Sequence, residues 1–109
     1  MKLKEIIDKL SLKVLTNTDD KEVSGVYVSD MLSDVMSKAQ AGNLWVTVQT
    51  HKNVIAAANL IDISAVIISQ GAEVPKDTID LANRFNVVLL GSNDSTFEVV
   101  GKLFQAGIK

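Results

Sequence analysis

The chain contains no cysteine, one proline, one tryptophan, one tyrosine and one histidine. Without cysteine there is no disulfide and no thiolate metal site. A lone histidine, His51, supplies no imidazole cluster. No apolar run reaches the roughly 18 residues of a membrane span. The N-terminal MKLKEIIDKL is polar and charged at helical spacing, unlike the long apolar stretch of a signal peptide. A cytoplasmic location with no membrane contact is the simplest reading. Neither sign of charge dominates: 11 basic residues stand against 13 acidic ones, a net charge of −2. Electrostatic binding of nucleic acid needs a clustered basic face, so no nucleic-acid partner is expected.

Familiar catalytic motifs are also missing. There is no G-x-x-x-x-G-K-[ST] loop; Gly101-Lys102 lies inside a helical pattern and is followed by Leu103. No G-x-G-x-x-G follows a strand, and no G-x-S-x-G elbow occurs. The usual machinery for phosphoryl transfer, dinucleotide binding and acyl transfer is absent.

What is present is enough to fold. Apolar residues make up 47% of 109 residues, sufficient for one domain with a real core over 1–109. Leu3, Ile6, Ile7 and Leu10 have the spacing of a helix face. KVLTN (13–17) reads as a short strand and GVYVS (25–29) as a second. A helix is expected from Asp30, its cap by residue type, to about Ala39, with Gly42 in a left-handed stop beyond it. LWVTVQ (44–49) is a strand and NVIAAANLI (53–61) a helix capped by Asn53 or Thr50. AVIIS (65–69) and VVLLG (87–91) are continuous apolar runs, the mark of strands covered on both faces and set at the sheet centre. Between them Pro75 opens a helix that runs to about Phe85. The last helix spans 95–107, with Ser95 and Glu98 spaced as a capping box and Gly107 as its stop. Strand and helix alternate through connections of about two to six residues. That predicts an α/β fold, a mainly parallel sheet with helices packed on its faces.

In such a sheet, ligands bind outside the carboxyl ends of the strands. Four polar loops gather there, around Ser29-Asp30, Gln49 to Asn53, Ser69 to Gly71, and Gly91 to Thr96. Helix N-termini at these loops suit phosphate or carboxylate. The candidate binding residues are therefore Asp30, Gln49, Thr50, His51, Asn53, Gly71, Ser95 and Thr96. The plainer reading is that each of these loops serves only to cap a helix. For His51, a general base would need an orienting carboxylate, which only Asp30 or Asp94 from neighbouring loops could supply. No catalytic residue, metal ligand or cofactor is assigned. Asp30 and Asp34 have magnesium-ligand spacing on one helix face, but a cap followed by a solvated carboxylate explains them as well. Trp45 and Tyr27 read as core. Tyr27, Met31 and Met36 also have the character of an adaptable dimer contact.

The segments GVYVSDMLSDVM, WVTVQTHKNV and STF resemble the DRTGG domain family, and the likeness runs from about Val23 to Ile108. It is closest to the short members that stand alone. The five letters that name the family do not occur here; Gln49-Thr50-His51-Lys52-Asn53 follows strand LWVTV instead. The resemblance implies a regulatory, non-catalytic module. Related domains sit beside nucleotide-binding CBS domains in some pyrophosphatases, inside some long phosphotransacetylases, and at the N-terminus of HPr kinase. It further implies homodimers and, for stand-alone members, association with redox or hydrogenase genes. Two readings stay open: a homodimeric sensor of a nucleotide or phosphorylated metabolite, and an interaction domain that binds a partner enzyme without a small ligand.

Overall fold

The computed structural model describes residues 1–108. Ten elements follow in order: α1 (Leu3–Leu10), β1 (Lys13–Val14), β2 (Val26–Val28), α2 (Leu32–Lys38), β3 (Leu44–Thr47), α3 (Lys52–Ile61), β4 (Ala65–Ile68), α4 (Lys76–Arg84), β5 (Leu89–Gly91) and α5 (Thr96–Gln105). The five strands form one sheet in the order β1-β5-β4-β3-β2. β2 to β5 are parallel neighbours, and β1 pairs antiparallel with β5, Lys13 opposite Gly91. This is the mainly parallel α/β domain that the alternation predicts.

The chain steps along the sheet in one direction from β2 to β5. Right-handed crossovers then put α2, α3 and α4 on the same face. The core confirms that placement. Trp45, Val66, Ile68 and Leu89 point into the three-helix layer with Val35, Ile55, Ala58 and Ala82. Leu44, Val46, Ala65, Ile67, Val88 and Leu90 point the other way, onto Leu3, Ile6, Val99 and Leu103 of α1 and α5. Side chains alternate along each strand, so strands apolar at every position fill both layers. β4 is the centre, as AVIIS predicts. β5 is flanked by β1, and fully buried β3 shares the middle.

Several element ends differ from expectation. KVLTN contributes only two ladder residues, although the Leu15 amide still donates to the Leu89 carbonyl. β5 begins at Leu89 and α5 ends at Gln105. Pro75 is the cap before α4 rather than its first residue. Asp30 does not cap α2; Met31 holds that position, with no side-chain cap bond. Gly42 and Gly107 take the expected left-handed backbone, at φ +86° and +95°.

Candidate ligand-binding edge of the sheet

The four strand-to-helix loops do meet at one edge, and the structure accounts for most of their polar groups. In the first loop the Asp30 carboxylate faces sideways, to the neighbouring strand. Its Oδ1 accepts from the Thr47 hydroxyl at 2.7 Å and from the Val48 amide at 2.9 Å. The Gln49 side-chain amide donates to the Asp30 carbonyl at 3.3 Å. Trp45, in the core, donates its indole N–H to the Ser29 carbonyl at 2.8 Å. Asp30 and Gln49 are thus brought together, as a clamp between the ends of β2 and β3.

Asp34 has a separate role. It accepts from the Tyr27 hydroxyl at 2.8 Å and pairs with Lys38 at 3.3 Å. The Tyr27 hydroxyl, with the Ser29 hydroxyl and Lys38 adding to it, holds the Asp34 carboxyl below its ordinary value. The same bond pushes the Tyr27 phenol up. Asp30 and Asp34 therefore do not act as a carboxylate pair. Among the described residues no group of three or more potential ligands could hold a metal ion.

His51 proves to be the cap of α3, a role the residue types had assigned to Asn53 or Thr50. Its backbone is extended and its Nδ1 accepts from the Asn53 amide at 3.1 Å. The Thr50 carbonyl accepts from the buried Thr78 hydroxyl at 3.0 Å, which joins this loop to α4. Lys52 reaches Asp77 at 3.6 Å. Gln49, Thr50 and His51 line a shallow groove of about 330 Å³ against Pro75, Asp77 and Thr78. Asn53 lies outside it.

The third and fourth loops hold each other. Gln70 and Gly71 both have left-handed backbone, at φ +66° and +65°. Their amides donate to the Asp94 and Ser92 carbonyls at 2.7 and 2.8 Å. The Ser69 and Thr96 hydroxyls share a hydrogen bond of 2.7 Å. Ser95 and Glu98 close the expected capping box. Asp94 pairs with Lys102 at 2.6 Å, which raises the Lys102 pKa. Neither Asp30 nor Asp94 is hydrogen-bonded to His51; each serves the partners named above.

A groove of about 520 Å³ lies beside these two loops. β4 hands the chain to α4 on one face, and β5 hands it to α5 on the other. The outgoing connections part between β4 and β5, which is where an open α/β sheet has its ligand crevice. Gly71, Ser92 and Asn93 line it from the loops, with Ala72, Val74 and Ile79 from the α4 side. Lys13 of β1, with Ser11 before it and Leu15 after it, lines the other side. Of the predicted residues only Gly71 is here; Ser95 and Thr96 are engaged in capping and in the link to Ser69. The β1 residues were missed because only the antiparallel pairing with β5 carries them to this edge. Strand KVLTN was visible, but not its neighbour.

Fold and edge together define a small, mostly parallel α/β module whose polar loops are largely bonded to one another. The chain belongs to the DRTGG domain family, whose model matches residues 5–106. Among solved structures it is similar to the CBS and DRTGG domains of the regulatory region of a pyrophosphatase from Clostridium perfringens, complexed with its activator, diadenosine tetraphosphate. The TM-score is 0.79 and the identity 19%, covering 95% of this chain and 46% of that one. The chain thus spans about half the length of that structure, and the likeness at this identity is one of fold. No curated protein matches the chain.

Proposed function

We propose that this chain is a non-catalytic regulatory module. It receives a small anionic metabolite, a nucleotide or a phosphorylated compound, at the carboxyl edge of its sheet, and it passes that occupancy to a second polypeptide. The observation that carries this reading is the groove at the parting of the β4 and β5 connections. It is lined by apolar Leu15, Val74 and Ile79 and by polar Ser11, Lys13, Glu73, Ser92 and Asn93. Its volume suits a small ligand. Family membership supports a regulatory role, and the nucleotide activator of the pyrophosphatase region gives the first ligand class to try. The predicted loop at Gln49, Thr50 and His51 offers a second, smaller site. We place the module in the cytoplasm, as a homodimer.

A thermal-shift screen against nucleotides, phosphorylated metabolites and divalent metals tests this. A ligand at a hundred times its dissociation constant stabilises the fold by about 2.7 kcal/mol, a visible shift for a domain of this size. A hit abolished by Lys13→Ala assigns the larger groove; one abolished by His51→Ala assigns the smaller. A blank screen would remove the sensor reading.

One observation favours a pure docking module that binds a partner enzyme. β2 is a sheet edge, and beside it Val28, Met31 and Met36 are exposed. An open strand edge flanked by methionine is suited to a partner polypeptide.

A further inference from the structure

On the sheet face that carries α2 to α4, one row of side chains has a gap. Residues paired across neighbouring strands point to the same side. Thr47, Ile68, Gly91 and Lys13 are paired in turn and so form one row, on β3, β4, β5 and β1. Thr47 and Ile68 are buried, Lys13 is exposed, and Gly91 between them has no side chain. Nothing in the fold asks for glycine there. Its φ is not positive. A Cβ would meet the Leu15 side chain at 3.7 to 3.9 Å, which is ordinary contact. Alanine would fit, and glycine weakens a strand. A strand glycine without a conformational reason marks a place where another molecule comes close to the backbone. Gly91 and Lys13 both line the groove of about 520 Å³.

We propose that Gly91 admits a flat ring against the β5 backbone, and that the ligand is a heteroaromatic ring bearing one anionic group for Lys13. Among the described residues no hydrogen bond or ion pair engages the Lys13 ammonium or the Glu73 carboxylate, which lines the same groove. Their charges are opposite, so charge alone gives little hold on a bare anion. The apolar lining of Leu15, Val74 and Ile79 must supply the rest. A ring is thin enough to lie on bare peptide and apolar enough for those side chains, whereas an aliphatic sugar phosphate has no such part. Glu73 and Asn93 offer an acceptor and an amide to the polar edge of the ring, which suits a heterocycle better than a plain hydrocarbon. This inference rests on the reading of the groove as the ligand site and narrows it: the ring selects and the lysine orients. A nucleoside monophosphate is the simplest compound of the class.

Isothermal titration of the full chain with the adenosine, guanosine and uridine monophosphates and with ribose 5-phosphate tests it. At least one nucleotide is expected to bind, and ribose 5-phosphate about tenfold more weakly or less. Gly91→Ala is expected to weaken the nucleotide by about tenfold or more, the effect of a methyl group forced into occupied space. The same variant should unfold at an equal or higher temperature, because alanine restricts the unfolded chain. A folding defect cannot give that pair of results. Lys13→Gln should weaken the nucleotide as well. A nucleotide held equally well by Gly91→Ala or by Lys13→Gln overturns the inference and leaves the sensor reading standing. So does ribose 5-phosphate bound as tightly as the nucleotides. A lower unfolding temperature for Gly91→Ala overturns it too, since the fold would then need the glycine. Binding of none of the four probes also overturns it, while the sensor reading falls only with a blank screen.

Discussion

At position 51 an imidazole does what serine, threonine or an acid usually does at a helix start. Its Nδ1 takes the Asn53 amide, one of the donors that a helix leaves without an internal partner. Residue types pointed instead to Asn53 and Thr50, because capping preferences favour short oxygen-bearing side chains. The same preferences identified Ser95 with Glu98 correctly and misplaced Asp30. The difference is physical. Ser95 and Glu98 bond to each other within one turn, so their spacing states the whole interaction. Asp30 is claimed by Thr47 and Val48 of the adjacent strand, which sequence order does not reveal. His51→Ala should therefore cost about 1 kcal/mol in urea unfolding, and His51→Asn should restore most of it. If both variants match the parent, the cap carries no stability. Tyr27 and Asp34 make a second residue-scale case. A carboxyl lowered on folding stabilises above its unfolded pKa and loses that contribution as pH falls through the folded one. A phenol raised on folding stabilises below its unfolded pKa and loses its contribution as pH rises through the folded one. The Tyr27–Asp34 bond accordingly stabilises the fold across the neutral range and fails at both extremes. Tyr27→Phe should move the Asp34 titration, followed by carboxyl-carbon NMR, up toward the ordinary carboxylate value. An unmoved titration would mean the hydroxyl is not the cause.

Elements differ in how openly the sequence declares them. AVIIS announces a strand buried on both sides, and β4 is that strand. LWVT is equally buried, yet its threonine and the polar residues after it disguised how central it is. Thr47 tolerates full burial because Asp30 accepts its hydroxyl hydrogen. β1 is the opposite case, a two-residue edge whose side chains are exposed. Ile67→Ala, in the middle of β4 and fully buried, should cost about 2–5 kcal/mol in denaturant unfolding. Val14→Ala, 42% exposed on β1, should change stability by about 0.5 kcal/mol or less. Equal costs would mean that β1 is as integral to the core as β4.

For the molecule as a whole, the winding direction decides the layout. Three crossovers in one direction leave three helices on one face and α1 with α5 on the other. Fold class and the gathering of polar loops at one edge were legible because periodicity and short connections are local properties. The groove beside β5 was not, since Ser11, Lys13 and Leu15 of its wall come from β1 and its flanks, whose neighbour lies near the other end of the chain. That pairing also has a consequence in time. β3, β4 and β5 each join the strand just before them, across short crossovers that are cheap to close. β1 must wait for β5, the last strand, and close a loop from Lys13 to Gly91. On a ribosome α1 and β1 emerge before the other strands, with the sheet face that α1 covers still unmade. Pulse-labelled hydrogen exchange during refolding should show the Leu15 amide, which donates to Leu89, protected after the β3–β4 ladder. Protection of Leu15 before that ladder would reverse the order. Until β5 arrives, α1 and β1 are a flap without a frame, and the groove beside them does not yet exist.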